Sequence, residues 1–416
     1  MSKCVGQLRL AIVSAALGSA VWAQQPAPGT AGADFPPGPG RELVVPLCGS
    51  CHDINRVKAG YTPQGWRTVM QMMHNMGVTF TPEQTRVVTD YLATNFPERP
   101  RPQAAVLAGP AHAQIRAFAV PTPGSRPHDP LATKDGALWY TGQLANQLGR
   151  VDPATGSIKE YPLPHAHSGP HGLTEDRDGN VWFTANGAAY IGKLDPRTAG
   201  VREYRLPDAA AKDPHTLIFD RDGILWFTAQ QANMVGRLDP ASGDIRLVTV
   251  PTPRARPYGM AVNSKNVVFF VEFGTNKVAS IDGRTMQIRE YPLPAVGARP
   301  RRIAIGPGDI VWYTDYARGY LGRLDPATGK VTEWPSPSGA KSEPYGIVFT
   351  RGAIWYSESF AKPNTLVRFD PATEKFQTWA LPGGGDIVRN MDVTRDGDVV
   401  LANSLVNEVM LVRIGD

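Results

Sequence analysis

Cys48-Gly49-Ser50-Cys51-His52 is the stretch whose residue types and spacing carry chemistry most directly. Two thiols three positions apart can each form a thioether to one vinyl group of a single porphyrin, and the His that follows falls beneath the iron. C-x-x-C-H is the attachment signature of a c-type haem. A Met thioether is one of the groups that serve on the iron's other face, and Met70, Met72, Met73 and Met76 follow close behind, together with His74. Cysteine use agrees with this reading. Of three Cys, Cys4 falls in the N-terminal segment, and Cys48 and Cys51 are both taken by the motif, so no thiol is left for a structural disulfide.

The flanking residues predict the elements that would hold such a group. Arg41 to Leu47 leads into the motif as a short helix. Thr62 is an N-cap with Pro63 at the first helical position; Trp66, Val69, Met70 and Met73 then recur at helical spacing until Gly77. Thr81-Pro82-Glu83-Gln84 starts another helix with Val87, Val88, Tyr91 and Leu92 on one face, and Pro97 ends it. Residues 41–97 therefore read as a small all-α domain of the size of a minimal cytochrome c. The segment resembles the small cytochrome c domains of periplasmic dehydrogenases, among them sulfite dehydrogenase cytochrome subunits and the haem subunit of quinohaemoprotein amine dehydrogenase, through Trp66, Val69, Met73, Gly77 and Tyr91-Leu92. The resemblance implies one covalent haem c on Cys48, Cys51 and His52, with Met73 as sixth ligand, Met76 next and His74 after it. The remaining Met residues are then core packing.

Residues 1–23 read as a secretory signal: Lys3 and Arg9 are its only charges, Leu10 to Trp22 is apolar and small, and Val21-Trp22-Ala23 is an acceptable cleavage site. The bland alternative is an uncleaved anchor, although the run falls short of the ~20 residues of a confident span. Export to the periplasm suits haem attachment to C-x-x-C-H, which in bacteria occurs outside the cytoplasmic membrane. Residues 24–40 and 98–112 are Pro/Ala-rich and read as a flexible leader and a linker. The net charge of +5 and the lack of any Lys/Arg run set nucleic acid aside. No Gly-rich nucleotide loop, Ser/His/Asp motif or zinc-ligand spacing occurs. The 42 Gly and 38 Pro suit many short strands joined by turns.

From residue 113 the chain repeats. One position recurs as His128, His171, His215, Tyr258, Arg301, Tyr345 and Arg389, at spacings of 43 or 44. Each unit holds four short strands, which predicts an all-β seven-bladed β-propeller over 113–416. The last unit lacks its fourth strand, and a matching strand, Gln114 to Pro121, precedes the first unit; pairing the two would close the ring and remove the open edge. Trp139, Trp182, Trp226, Trp312 and Trp355 are expected in the packing between blades.

The seven-fold position lies where innermost strands begin, at a channel mouth. Arg126, Gly169, Asp213, Arg256, Arg299, Glu343 and Ile387 stand two residues before it. Gly142, Ala185, Ala229, Glu272, Asp315, Glu358 and Asn403 end the second strands, so blades one to three present His and blades four to six present acids. Such groups are site candidates, or they satisfy one another in a wet channel. The units G-P-H-G-L-T, W-F-T and I-G-R-L-D-P…E-Y-P-L-P resemble those of the virginiamycin B lyase (streptogramin lyase) family over most of 113–416. That resemblance implies a propeller that opens a cyclic antibiotic ester by elimination, with magnesium held by two Glu. The metal carboxylates fall on Glu343 and Glu358. The family's substrate-binding His falls on Arg301 and its base His on Tyr345, so the catalytic candidates here are Arg301 and Tyr345, and the departure puts the elimination in doubt.

Three functions follow as expectations. The first is a periplasmic electron carrier with a propeller that binds a small anionic ligand or a redox partner protein, for which Arg126, Arg256, Arg299, Arg301 and Arg302 are the motive. The second is a metal-dependent lyase-like enzyme with altered catalytic residues. The third is a non-catalytic docking scaffold for a membrane redox complex, with no stable membrane span of its own after signal cleavage.

Overall fold

The computed structural model describes residues 34–49 and 54–415. The signal expected over 1–23, most of the leader, and Cys51 and His52 lie outside the described residues. No helix among the described residues is long and apolar enough to cross a membrane.

Three helices form a small unit: α1 (Arg41–Gly49), α2 (Pro63–Asn75) and α3 (Pro82–Asn95), with a 3-10 turn over Ile54–Ala59. Thr62 and Thr81 cap α2 and α3 through their hydroxyls, and Gln84 completes a capping box at Thr81. Val44, Ile54, Val57, Trp66, Met70, Val88, Tyr91 and Leu92 make its core. Phe35 belongs to the same core and rests against Phe96 at 4.9 Å, while the Tyr91 hydroxyl donates to the Pro36 carbonyl at 2.6 Å. The flexible leader expected to residue 40 therefore stops short, because one aromatic ring at position 35 has apolar area to bury.

The rest is a seven-bladed propeller of four-stranded antiparallel sheets. The closure read from the repeat holds: β1 (His112–Ala119) pairs antiparallel with the last strand, Glu408–Gly415, in register from His112↔Gly415 to Ala119↔Glu408. The five Trp residues are buried, and four of them also stack on an aromatic of their own blade's fourth strand, as Trp182 does on Tyr204 at 5.2 Å. A third-strand glycine makes room for each second-strand ring in several blades; a Cβ on Gly192 would sit 2.1 Å from the Phe183 ring.

Residues 98–112 differ from a free linker. Ala104 N–H donates to the Lys362 carbonyl and Lys362 N–H to the Pro102 carbonyl. Leu107 N–H donates to Thr378 Oγ1 at 2.7 Å, and Gln377 exchanges two bonds with Ala111. Arg101 pairs with Asp386 and Glu98. The segment straps itself to the outer edge of blade six, so its Pro/Ala composition reflects a backbone bonded to one side only, where a missing N–H costs little.

Candidate functional site

Every innermost strand carries a register shift two to three residues after its start, from Pro127/Pro130 in blade one to Val388/Met391 in blade seven. Such a bulge turns two successive side chains into the channel. The residue just before the strand takes a left-handed backbone in six blades, five of them without glycine: Arg126 (φ 57°), Asp213, Arg256, Glu343 and Ile387. Each costs about 1–3 kcal/mol, a pattern found where a backbone must aim a side chain. Second-strand hydroxyls then lock neighbouring blades. Thr184 Oγ1 accepts from Gly172 N–H at 2.8 Å and donates to the His215 carbonyl of the next blade at 2.7 Å. Thr141, Thr228, Thr314 and Ser357 repeat the bridge.

In blades one to three the channel holds a stack. The His128 and His171 rings lie 3.7 Å apart, His171 and His215 3.7 Å, and His215 and Tyr258 3.9 Å. All four are buried. Burial, reinforced by nearby guanidiniums and by neighbouring His rings, holds the three imidazoles well below their ordinary pKa, so they are neutral. Asp129 sits beneath them. It meets His128 Nδ1 at 2.7 Å, accepts from Asn390 Nδ2 at 2.9 Å, and accepts from Arg302 Nη2 through both carboxylate oxygens at 3.1 and 3.3 Å. His128, Asp129 and His171 are the group of three metal-capable side chains drawn together among the described residues. The guanidinium of Arg302 already supplies the positive charge that Asp129 faces.

In blades four to six the environment reverses. The Arg301 guanidinium lies 3.9 Å from the Tyr345 ring, 4.1 Å from Tyr316, 4.5 Å from Phe273 and 5.3 Å from Tyr258. This is an aromatic cage around a cation. Tyr345 and Tyr258 share a short hydroxyl hydrogen bond. Burial raises the Tyr345 pKa, but Arg301, then Arg389 and Arg302, outweigh it and leave the phenol below its ordinary value. The Tyr316 hydroxyl donates to Glu343, whose carboxyl burial pushes up. Arg301, Tyr345 and Glu343 are thus brought together around Tyr316.

Glu358 is differently placed. It is fully buried, one oxygen accepting from Ser336 Oγ at 2.7 Å and Ser338 N–H at 2.8 Å, the other from Thr365 Oγ1 at 2.6 Å and from the Ser338 hydroxyl. Four donors saturate a carboxylate. A magnesium ion, which needs oxygen ligands and its own waters, does not fit Glu358 as it stands. Asp315 is likewise engaged within its own blade, by Arg318, while Glu272 accepts from Thr275 through one oxygen and keeps the other buried without a partner. The acids of blades four to six therefore satisfy turns and do not form an open ring.

The helical unit covers the mouth above blades seven and one; Asn75 Nδ2 donates to the Pro123 carbonyl at 2.9 Å. Between them lies a cavity of about 220 Å3, walled on one side by Cys48, Tyr61, Trp66, Met70, Met72 and Met73. The propeller wall is Arg126, Leu144, Ile387, Arg389 and Leu405. Drug-sized sites begin near ~300 Å3, so a porphyrin would seat here with one edge outside or with the walls spread. Met73 lies on this wall; Met76 is 39% exposed and neither it nor His74 lines the cavity. Burial pushes the Cys48 thiol up to about 11. A wider open depression, lined by Asp178, Lys193 and Arg197, lies among turns at the opposite end of blade two and gathers no comparable chemistry.

Asp129 and the cage members Phe273 and Tyr316 do not emerge from a reading that counts one channel residue per blade, and Arg302, expected near the mouth as an anion contact, is spent on Asp129. A signal existed for each. The position after the slot reads Asp129, Gly172, Thr216, Gly259, Arg302, Gly346 and Asn390, with a single acid and a single base. The position after the second strand is aromatic only at Phe273 and Tyr316.

Comparison with known proteins agrees with this architecture. Among curated proteins, none matches the chain. A solved streptogramin B lyase is 26% identical, with a TM-score of 0.67 over 73% of this chain and 98% of that one. A virginiamycin B lyase from Staphylococcus aureus is 23% identical, with a TM-score of 0.66 over 72% and 99%. A Kuenenia stuttgartiensis hydrazine synthase chain shares the fold at 13% identity, with a TM-score of 0.58 over 70% and 96%. The profile of the virginiamycin B lyase family matches residues 104–368, well over half of the sequence. The chain belongs to the virginiamycin B lyase family.

Proposed function

We propose that this chain is an exported carrier of one covalent haem c, held on the helical unit by Cys48, Cys51, His52 and Met73, and that its propeller covers the haem's seat and receives a small anion or an acidic redox partner. The observation that supports this most is the position of Cys48. The first thiol of the C-x-x-C-H motif opens onto an apolar cavity whose same wall offers Met73 and whose facing wall offers two guanidiniums. When bound, the haem supplies one-electron exchange. The protein's own residues do the rest: Trp66, Met70 and Leu92 exclude water, and Ile387 and Leu405 close the far side. A periplasmic location and a soluble redox partner belong to the same proposal.

The test is to produce the protein in a host that matures c-type haem and measure the alkaline pyridine haemochrome. One haem per chain is expected, with one thioether lost in Cys48→Ala, covalent attachment lost altogether in Cys48→Ala with Cys51→Ala, and the thioether-to-iron absorbance band lost in Met73→Ala. A colourless protein from that host overturns the reading.

A second reading, a lyase-like enzyme, is favoured by the family and by one observation: the guanidinium of Arg301 draws the Tyr345 phenol below its ordinary pKa, as a general base needs. Against it, Tyr345 is 0% exposed and Glu358 is saturated. Incubation with quinupristin, the compound present in a solved structure of a catalytically inactive S. aureus lyase, decides it. Intact quinupristin by mass, with and without magnesium, is expected; opening that Tyr345→Phe abolishes would make the enzyme reading correct.

A further inference from the structure

We propose that Arg126 and Arg389 are the anion anchors of the haem, each taking one propionate carboxylate, so that the propeller mouth completes the haem pocket. This rests on the haem reading above and goes beyond it by assigning propeller residues to the cofactor.

Three arginines line the cavity that Cys48 enters: Arg56, exposed on the helical side, and Arg126 and Arg389, together on the propeller wall and without counter-charges. Arg389 Nε donates only to Ser404 Oγ at 3.2 Å, and among the described residues neither guanidinium is paired with a carboxylate. The acids that feel Arg389 are already committed, Asp386 to Arg101 and Glu343 to the Tyr316 hydroxyl. Two guanidiniums facing an apolar enclosure without an anion is a costly arrangement. Its cost shows in Arg126, which burial and the charge of Arg389 push down to about 9. The backbone is set to produce it, since Arg126 (φ 57°) and Ile387 (φ 57°) both hold left-handed conformations without glycine. Around the pair the wall is apolar, as Leu144, Ile387 and Leu405. An apolar face flanked by two forked cations fits a flat hydrophobic ring that carries two carboxylates on one edge. A second source of carboxylate, a free anion entering from solvent, shares the chemistry and is separated by the test.

The experiment uses haem-loaded protein and spectroelectrochemistry. Arg126→Ala with Arg389→Ala removes two positive charges beside the macrocycle, which destabilises the reduced state more than the oxidised one. The expected midpoint shift is negative, with at least a tenfold change in the oxidised-to-reduced ratio at fixed ambient potential, which is about 59 mV for one electron. Arg126→Lys with Arg389→Lys keeps the charge and is expected to recover most of the shift, which separates charge from misfolding. Arg256→Ala, the equivalent rim residue of blade four and outside the cavity, is expected to leave the potential unchanged. Added acetate or succinate is expected not to move the wild-type potential. A haem-loaded double Ala variant with wild-type potential overturns the assignment while leaving the haem reading intact. A wild-type potential that tracks added carboxylate, and loses that response in the variant, assigns the pair to a free anion and also overturns it. Failure of the wild type to carry haem at all is a failure of the earlier reading and is seen before any variant is made.

Discussion

Blades one to three and blades four to six place their channel residues on the same bulged backbone, yet build opposite environments. The first half stacks three neutral imidazoles over one acid. The second half cages one permanent cation in four aromatic rings. The two halves meet through Arg302, which crosses the channel from blade five to Asp129 in blade one, to Thr216 in blade three and to the Arg389 carbonyl in blade seven. The difference teaches that the propeller backbone sets position only; the charge of the channel is decided by which pair of successive residues each blade turns inward. Arg301 and Tyr345 occupy this half, and the channel's histidines sit on the other side, already stacked and buried.

The comparison can be broken at its hinge. Asp129→Ala leaves Arg302 buried without its partner, and a loss of about 3–5 kcal/mol is expected in urea unfolding. Asp129→Leu combined with Arg302→Met, which removes both charges, is expected to recover a large part of it.

The stacked histidines and the buried acids answer pH in opposite directions. The three histidines have depressed pKa values when folded, so their contribution is present above their ordinary value of 6.5 and is lost as pH falls below it. Burial raises Glu272 from 4.5 to about 7, so its contribution is complete below 4.5 and is lost as pH rises through 7. Asp213 and Asp392, which burial raises to about 6, add to that alkaline limb. Each group can tilt stability by up to about 1.4 kcal/mol per pH unit. Between about pH 5 and 6.5 the two contributions oppose each other and flatten the denaturation profile. Glu272→Gln is expected to steepen the loss of stability on acidification through that range, and His171→Gln to reduce it.

A smaller effect tests the locks between blades. Thr184→Val strands the Gly172 N–H and the His215 carbonyl, at a cost of about 1–3 kcal/mol by the same measurement. Blade four already has Val271 at that position. Val271→Thr is expected to change stability by about 1 kcal/mol or less, in the stabilising direction.

Much of this was legible before any coordinates. Seven slots at a spacing of 43 or 44, one short repeat at the end and one spare strand at the start led directly to the ring and its closure. Thr62, Pro63, Thr81 and Gln84 marked helix starts that hold in the structure. What escaped was whatever depends on the bulge. A period counts one residue per blade, but the bulge turns a second one inward, and so Asp129 went unnoticed and Arg302 counted only as one of several basic residues near the mouth, not as the partner of Asp129. The acids Glu272, Asp315 and Glu358 looked like a ring because they align in the repeat; their hydroxyl and guanidinium partners come from turns that the repeat does not align. The strap over residues 98–112 was hidden for a related reason, since composition reports low propensity for a sheet interior and says nothing of backbone bonded along an outer edge.

The closing strand has a consequence in time. β1 and its partner Glu408–Gly415 lie at opposite ends of the propeller sequence. At synthesis rates of ~5–20 residues per second, the first strand waits on the order of tens of seconds for the last. The helical unit emerges earlier still, and throughout that interval the wall bearing Cys48 has no Arg389 or Leu405 opposite it, because blade seven does not yet exist. The order of the chain therefore leaves the helical unit uncovered first, and shuts it under the propeller last.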